Sequence, residues 1–582
     1  MPEANPSAKP QTVRQDDRPR ARAPDRLRLL PAFDAAGGMI AGATADVSAA
    51  TGVPEAHAYA TASFFHLLAR PDVEARVCDG TSCRMAGAGA LLDGLRARGV
   101  KAEPCACLAQ CDQAPAVLLG DGGHYRPYRA PLKRDGTLAP LPLRLAMRPL
   151  ANWLIEGSGG AVLADDAALP INLAGDDRNG VFAGYDAAVA LGADGVFAAL
   201  EASGLRGRGG AGFPAHVKWR AVARHRDNNP IVICNADEGE PGTFKDRAIA
   251  LHRPTLLIEG LALAAMAVGA REIIVYLRGE QGGALAALQD ALAALRADGR
   301  LADVSFEIAL GHGAYICGEE TALLEALEGQ RGMPRHKPPF PTDAGYLGRP
   351  TLLSNVETFA SVPAIVARGG AWYAGLGKDG AAGMRLYSVS GDVARPGTYE
   401  LAVGSTLREL IAVAGGMATD APLLAFVPGG AASGVLPAHH LDVPLDAAPL
   451  AALGSMAGSA GVIVLDSRRD VAELVADSLR FFRDESCGQC APCRVGTRVL
   501  VDAFAAFRSA AHQDPATARA ARVQLDQVAE EISWEMSEGS ICGLGQAAHY
   551  PLGHYLRDFA PPIADTAAVA DRGPMNKRDD DA

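Results

Sequence analysis

Several things are scarce in this chain, and each scarcity narrows what it does. Aromatic residues make up 5% of 582 residues. No apolar run reaches the length of about 18 residues that a bilayer-crossing helix needs, so no membrane span is expected. Positive charge is in deficit: Lys plus Arg number 55 against 67 for Asp plus Glu, a formal net charge of −12. That excludes nucleic acid or an anionic membrane surface as the main partner. The first 28 residues hold Pro, Arg and Asp but lack the apolar core of a secretory signal. They read as a disordered tail, as does 563–582. Eleven cysteines are too few for a secreted disulfide framework in a chain this long, and eight fall into two sets of four with metal-site spacing. A reducing, cytoplasmic compartment is expected. The length itself implies three or four cores.

Glycine, by contrast, is concentrated. Ser203 to Pro214 reads SGLRGRGGAGFP. Glycine carries an entropic cost that only an unusual backbone path offsets, and consecutive exposed N–H groups form a nest for phosphate. Strand-like runs at Ile231–Ile233, Ile273–Leu277 and Phe306–Ala309 alternate with helical stretches at Leu256–Val268 and Ala284–Ala297, an α/β pattern whose ligands sit at the carboxyl ends of strands. Two polar motifs occupy such ends, Cys234-Asn235-Ala236-Asp237-Glu238-Gly239-Glu240 and Gly313-Ala314-Tyr315-Ile316-Cys317-Gly318-Glu319-Glu320. A third is Ser354-Asn355-Val356-Glu357-Thr358. Further on, Arg385–Leu401 reads as a hairpin turning at Pro396-Gly397, and Thr406-Leu407-Arg408-Glu409 is a capping box opening a helix.

The cysteine sets differ in what their spacing says. Cys78, Cys83, Cys107 and Cys111 would suit structural zinc or an iron–sulfur cluster equally. Cys487, Cys490 and Cys493 with distant Cys542 favour a cubane. Pro492 is expected to break any helix through the three clustered cysteines and leave them on a loop. Cys105, Cys234 and Cys317 read as small buried or bystander residues.

The glycine loop with the three polar motifs closely resembles the flavin- and NADH-binding subunit of respiratory complex I and its relatives, the diaphorase subunits of soluble NAD-reducing hydrogenases and NAD-dependent formate dehydrogenases. CDGTSC and CLAQC, followed by Asp112-Gln113-Ala114-Pro115, look like the thioredoxin-like 2Fe-2S subunit of complex I fused to it. The resemblance implies an α/β multidomain chain. Its parts would be a helical lead-in and thioredoxin-like 2Fe-2S domain (29–135), a linker (136–178), an α/β FMN/NAD-binding domain (179–381), a ubiquitin-like β-grasp domain (382–468) and a C-terminal helical 4Fe-4S domain (469–562).

By the same resemblance, FMN is expected against Gly207, Arg208, Gly209, Gly210, Lys218, Asn235, Asp237, Tyr315, Gly318, Glu319, Asn355 and Thr358. NAD is expected against Phe213, Glu240, Glu320, Lys337 and Phe340, with Glu240 and Glu320 nearest the nicotinamide and no catalytic acid or base. Ser354 stands where the family usually has Asn. Cys78, Cys83, Cys107 and Cys111 would hold a 2Fe-2S cluster, and Cys487, Cys490, Cys493 and Cys542 a 4Fe-4S cluster. The acidic side chains would accept ribose hydroxyls and repel the extra phosphate of NADP, favouring NAD.

Nicotinamide exchanges electrons in pairs and clusters one at a time, and flavin does both, so an oxidoreductase role with flavin between them is expected. The segment Phe426–Pro437 and Ser540-Ile541-Cys542-Gly543-Leu544-Gly545 look closest to the formate dehydrogenase β subunit, whose partner α subunit carries molybdenum or tungsten. A hydrogenase diaphorase or a fused complex I subunit is the alternative, and a zinc-binding scaffold the non-enzymatic one.

Overall fold

The computed structural model describes residues 24–121, 124–129 and 182–560. The expected linker and C-terminal tail, and nearly all of the N-terminal tail, lie outside them.

The first unit begins with short helices, Leu29–Ala35, Ala43–Thr51, Glu55–Ala62 and His66–Ala69. A four-stranded sheet follows: β1 (Ala75–Cys78), β2 (Ala102–Cys105), β3 (Ala116–Asp121) and β4 (His124–Arg129), in order β2-β1-β3-β4. β1 pairs parallel with β2 and antiparallel with β3. The crossover between β1 and β2 is the helix Ala88–Arg96, which buries Ala88, Leu91 and Leu95.

The second sheet is wholly parallel, in order β7-β6-β5-β8, from β5 (Ile231–Ala236), β6 (Glu272–Arg278), β7 (Ser305–Gly311) and β8 (Thr351–Asn355). β5 and β6 are near-continuous apolar runs, as strands covered on both faces must be. Each of the three strands foreseen here extends one to three residues further than its apolar run. The helix Pro254–Val268 starts on a proline, ends on left-handed Gly269, and is buried almost all round. It packs against the helix Val356–Arg368, which Asn355 caps by accepting from the N–H of Glu357.

The third sheet runs β10-β9-β13-β11-β12, from β9 (Met384–Gly391), β10 (Gly397–Ala402), β11 (Leu423–Val427), β12 (Leu436–Pro437) and β13 (Gly461–Asp466). β9 and β10 form the expected hairpin, and β13 runs parallel beside β9, the β-grasp arrangement. The capping box is present: Thr406 and Glu409 each accept from the other's backbone N–H. The chain then turns helical, with Val471–Glu485, Ala491–Ala510, Pro515–Gly539 and two shorter helices.

Among the described residues one helix, Ala183–Ser203, is long and apolar enough to cross a membrane by length and composition. It breaks at Gly192 (φ 69°) and packs on the helix Val356–Arg368.

Candidate functional site

The glycine loop lies between the helix Ala183–Ser203, closed by left-handed Gly204, and the helix Ala215–Ala223. It is pinched shut where Gly207 N–H donates to Phe213 O at 2.8 Å and Arg206 Nε to Gly212 O at 2.7 Å. Gly210 takes φ 130° and Gly212 φ 63°, which side-chain-bearing residues resist. Among the described residues, the N–H groups of Gly209, Gly210, Ala211 and Gly212 find no protein acceptor, and the first three residues are exposed. Such a row of free donors fits a flavin phosphate.

Arg208 departs from expectation. Its N–H donates to Thr358 Oγ1 at 2.9 Å, but its guanidinium turns inward, donating to Met384 O at 2.8 Å and Tyr373 Oη at 3.2 Å. It anchors the loop to the β-grasp domain instead of facing the cradle.

Asn235 and Asn355 stand in register at the carboxyl ends of β5 and β8. Asn235 Nδ2 donates to Gly318 O at 2.8 Å, fixing the turn Tyr315–Gly318. The Asn355 amide donates to Asp246 while its oxygen caps the next helix, and its Cβ stands 3.1 Å from where a Cβ on Gly209 would sit. Beneath lies a charged set that joins two of the motifs, Glu238 from one and Glu357 from another, and whose burial the sequence does not announce. Lys245, 1% exposed, meets Asp246 at 2.7 Å and fully buried Glu357 at 2.9 Å, and Glu238 accepts from the N–H groups of Asp246 and Arg247. Lys245 and Asp246 follow CNADEGE in sequence, but nothing in their spacing signals burial.

Asp237 has one carboxylate oxygen buried without a partner. Burial lifts its pKa to about 7 against the pull of Arg278. An orphaned polar atom at the carboxyl end of β5, beside Gly318, suits a polar ligand group.

The structure gathers four of the expected charged residues. Lys218 meets Glu320 at 2.8 Å, and Lys337 meets Glu320 at 2.8 Å and Glu319 at 3.1 Å. Burial works against the charge on Glu320, yet the two lysines hold its pKa down to about 2. Glu319 caps the helix Glu320–Leu327. Phe213 and Phe340 are half exposed, with their rings open to stacking. Glu240 lies elsewhere: its carboxylate accepts from Tyr315 Oη and from Ala432 N–H at 2.8 Å, and burial raises its pKa. Ala432 belongs to the segment Phe426–Pro437, which therefore reaches the loop after β5 (237–244), the flavin loop.

The first cysteine set converges. Cys78, Cys83, Cys107 and Cys111 are buried, and all are free thiols. Cys78 is a neighbour of Cys83 and Cys107, and Cys107 of Cys111, each thiol acting on the titration of the next. Backbone N–H groups of Ala109 and Ala116 point at the sulfurs of Cys107 and Cys83, both at 3.4 Å. Such N–H contacts stabilise cluster thiolates. Cys105 sits outside the set, on β2 opposite Cys78. The set docks on the flavin loop, with Cys107 Sγ 3.9 Å from Glu240 O and Phe244 packed against Cys107 and Cys111.

The second set corrects one expectation in part. No helix runs through the three cysteines, and Cys487 and Cys490 lie on the connection after the helix Val471–Glu485, but Cys493 is helical: Pro492 sits in the first turn of the helix Ala491–Ala510, where its missing N–H costs nothing. Cys490 is the residue before that helix, Cys493 is in its first turn, and Cys542 precedes the helix Gly543–Ala547. The N–H groups of Leu544 and Gly545 face the Cys542 sulfur. Burial pushes Cys493 up to about 12 and Cys542 up to about 11, so these thiols wait on metal to lose their protons. Two helix starts facing one cysteine set suit an anionic cluster. Cys234 and Cys317 are fully buried, as expected of small core residues.

Residues 25–131 match the thioredoxin-like [2Fe-2S] ferredoxin family, 200–364 the Nuo51 FMN-binding domain, 386–435 the SLBB domain and 473–566 the NADH-ubiquinone oxidoreductase-F iron-sulfur binding region. The chain is 47% identical over 312 residues to the F 2 subunit of the NADH-quinone oxidoreductase of Rhizobium meliloti, covering 52% of this chain and 74% of the relative. It is 40% identical over 416 residues to the NADH-quinone oxidoreductase F subunit of Rhodobacter capsulatus, covering 69% and 94%. A solved NAD+-reducing [NiFe]-hydrogenase in its H2-reduced state contains a chain 34% identical with TM-score 0.76, covering 91% of this chain and 92% of that one. These matches displace the zinc scaffold. The chain belongs to the family of NADH-quinone oxidoreductase F subunits, an FMN-, NAD- and iron–sulfur-dependent oxidoreductase component that here carries a thioredoxin-like 2Fe-2S domain on the same polypeptide.

Proposed function

We propose that this chain is the NAD+-reducing subunit of a cytoplasmic NAD-dependent formate dehydrogenase, receiving electrons from a molybdenum- or tungsten-containing α subunit. The observation that carries an electron-transfer reading is the seating of the Cys107 sulfur 3.9 Å from the carbonyl oxygen of Glu240, at the edge of the flavin loop. The formate branch is supported by Phe426–Pro437 and by Ser540–Gly545, which resemble that branch. The first of these meets Glu240 through Ala432.

Bound flavin supplies the interchange between a hydride and single electrons. The protein's part is placement. The free N–H groups of Gly209 to Gly212 would hold the flavin phosphate, with Asn235 and Gly318, bonded to each other, lining the site. Asp237 Oδ2 holds or accepts a proton near neutral pH. Lys218 and Lys337 keep Glu320 ionised and oriented for the ribose of NAD, with Phe213 and Phe340 as stacking faces. Glu240, held by Tyr315 and Ala432, closes the nicotinamide side.

A second reading, the diaphorase subunit of a soluble NAD-reducing hydrogenase, is favoured by the structural likeness over 91% of the chain. The test is anaerobic purification of the native complex, with metal analysis and NAD+ reduction driven by formate or by hydrogen. Molybdenum or tungsten with formate activity is expected. Nickel with hydrogen activity would move the chain to the hydrogenase branch and leave the residue roles in place.

A further inference from the structure

Arg278 ends β6 where the thioredoxin-like domain meets the flavin loop. Its Nη1 donates to Cys107 O at 2.9 Å and to Glu238 O at 2.8 Å. The other edge of the guanidinium binds Glu280, Nη2 to Oε1 at 2.8 Å and Nε to Oε2 at 3.3 Å. The side chain is 5% exposed. Gly239 is wedged beside it: a Cβ there would stand 3.0 Å from Tyr315 Cδ2 and 3.2 Å from Arg278 Nη1. One buried cation therefore ties the backbone of a cluster cysteine to the backbone of the flavin loop.

We propose that Arg278 is a positioning residue for the 2Fe-2S cluster, fixing Cys107 against the flavin loop and holding the cluster's potential up. This rests on placing that cluster on Cys78, Cys83, Cys107 and Cys111. Reduction adds one electron to the cluster and makes or breaks no bond. A cation bonded to a ligand's own carbonyl, in surroundings of low dielectric, stabilises the more negative state. Glu280 opposes it from the far edge of the guanidinium, so the net effect follows from the nearer charge.

The test is potentiometric EPR on the full chain, purified anaerobically with its clusters, comparing wild type with Arg278→Gln, Arg278→Lys and Glu280→Gln. At a fixed ambient potential, Arg278→Gln is expected to lower the reduced-to-oxidised ratio of the 2Fe-2S signal about tenfold, equivalent to about 59 mV for a one-electron couple. The 4Fe-4S ratio stays within about twofold. Arg278→Lys, which keeps the charge, recovers most of the ratio. An unchanged 2Fe-2S ratio in Arg278→Gln, or an equal shift in both clusters, overturns the proposal. If Arg278→Gln does not accumulate with its clusters, Glu280→Gln gives the reciprocal reading: an approximately tenfold higher reduced ratio supports the proposal and no rise overturns it. A wild-type chain lacking any 2Fe-2S signal overturns the cluster assignment itself, and the proposal with it.

Discussion

Asp237 shows how a single buried side chain writes itself into the pH dependence of the whole protein. Burial lifts it from 3.8 to about 7, so between those values the folded protein binds more protons than the unfolded chain. Stability from this group is therefore full at the acid side of the window and is lost as pH rises through about 7. Asp237→Asn removes the cost of the buried charge. The variant is expected to match wild type near pH 4 and to exceed it at pH 8 by on the order of a few kcal/mol, read as the difference in thermal unfolding at the two pH values. A constant difference across the range would mean that the carboxyl is already ionised without penalty. Flavin retention is expected to move oppositely, because the orphaned oxygen of Asp237 is then an amide. None of this was legible beforehand: the sequence placed Asp237 in a motif, but the missing partner of one oxygen is a property of the folded surroundings.

At the scale of elements, close approach of backbones does what local propensity cannot. Gly260 lies mid-helix in Pro254–Val268, where a Cβ would drive into the carbonyl oxygen of Phe359 on the helix Val356–Arg368. That second helix starts at Asn355, whose side chain braces the glycine loop and Asp246. Gly260→Ala is thus expected to push the helices apart, costing about 1–3 kcal/mol as overpacking does, and to release flavin, with unfolding midpoint and bound-flavin absorbance as the two readouts. Full flavin content in a destabilised variant would disconnect that helix from the cradle.

Pro492→Ala is the contrasting case. A proline in the first helical turn is pre-organised and lacks only an N–H that had no partner there. The change is expected to cost at most about 1 kcal/mol and to leave iron content unchanged, measured by iron analysis and the 4Fe-4S EPR signal. The strands Ile231–Ala236 and Glu272–Arg278 were readable because buried parallel strands advertise themselves as β-branched apolar runs. The helical placement of Cys493 escapes the sequence because the rule against proline in helices does not say on which side of the proline a helix lies. The inward turn of Arg208 and the burial of Lys245 depend on strands and helices more than 100 residues away in sequence, out of reach of any local pattern.

At the scale of the molecule, the two cysteine sets meet the flavin loops through different residues. The first touches Glu240 O through Cys107, whereas the second follows Glu485, whose carboxylate accepts from the Tyr315 N–H at 2.9 Å. The thioredoxin-like domain is clasped to the rest by the buried pair Arg247–Asp112 at 2.5 Å, by Ser82 against Ser390 at 2.9 Å and by Arg469 donating to Met85 O at 3.2 Å. Breaking one partner of a buried pair strands the other charge, at about 3–5 kcal/mol. Removing both is far milder.

Arg247→Met is therefore expected to loosen the docking of the 2Fe-2S domain, with the double variant Arg247→Met/Asp112→Leu recovering much of it. Rapid-freeze EPR after mixing with NADH reads the consequence: in Arg247→Met the 2Fe-2S signal develops about tenfold more slowly while the 4Fe-4S signal keeps its rate. A 4Fe-4S signal that slows in step would show that electrons reach both clusters through the same docked surface, and not through the distinct contacts of Glu240 and Glu485. A double variant as slow as the single one would assign the effect to the loss of Arg247 itself, and not to the charge left stranded on Asp112.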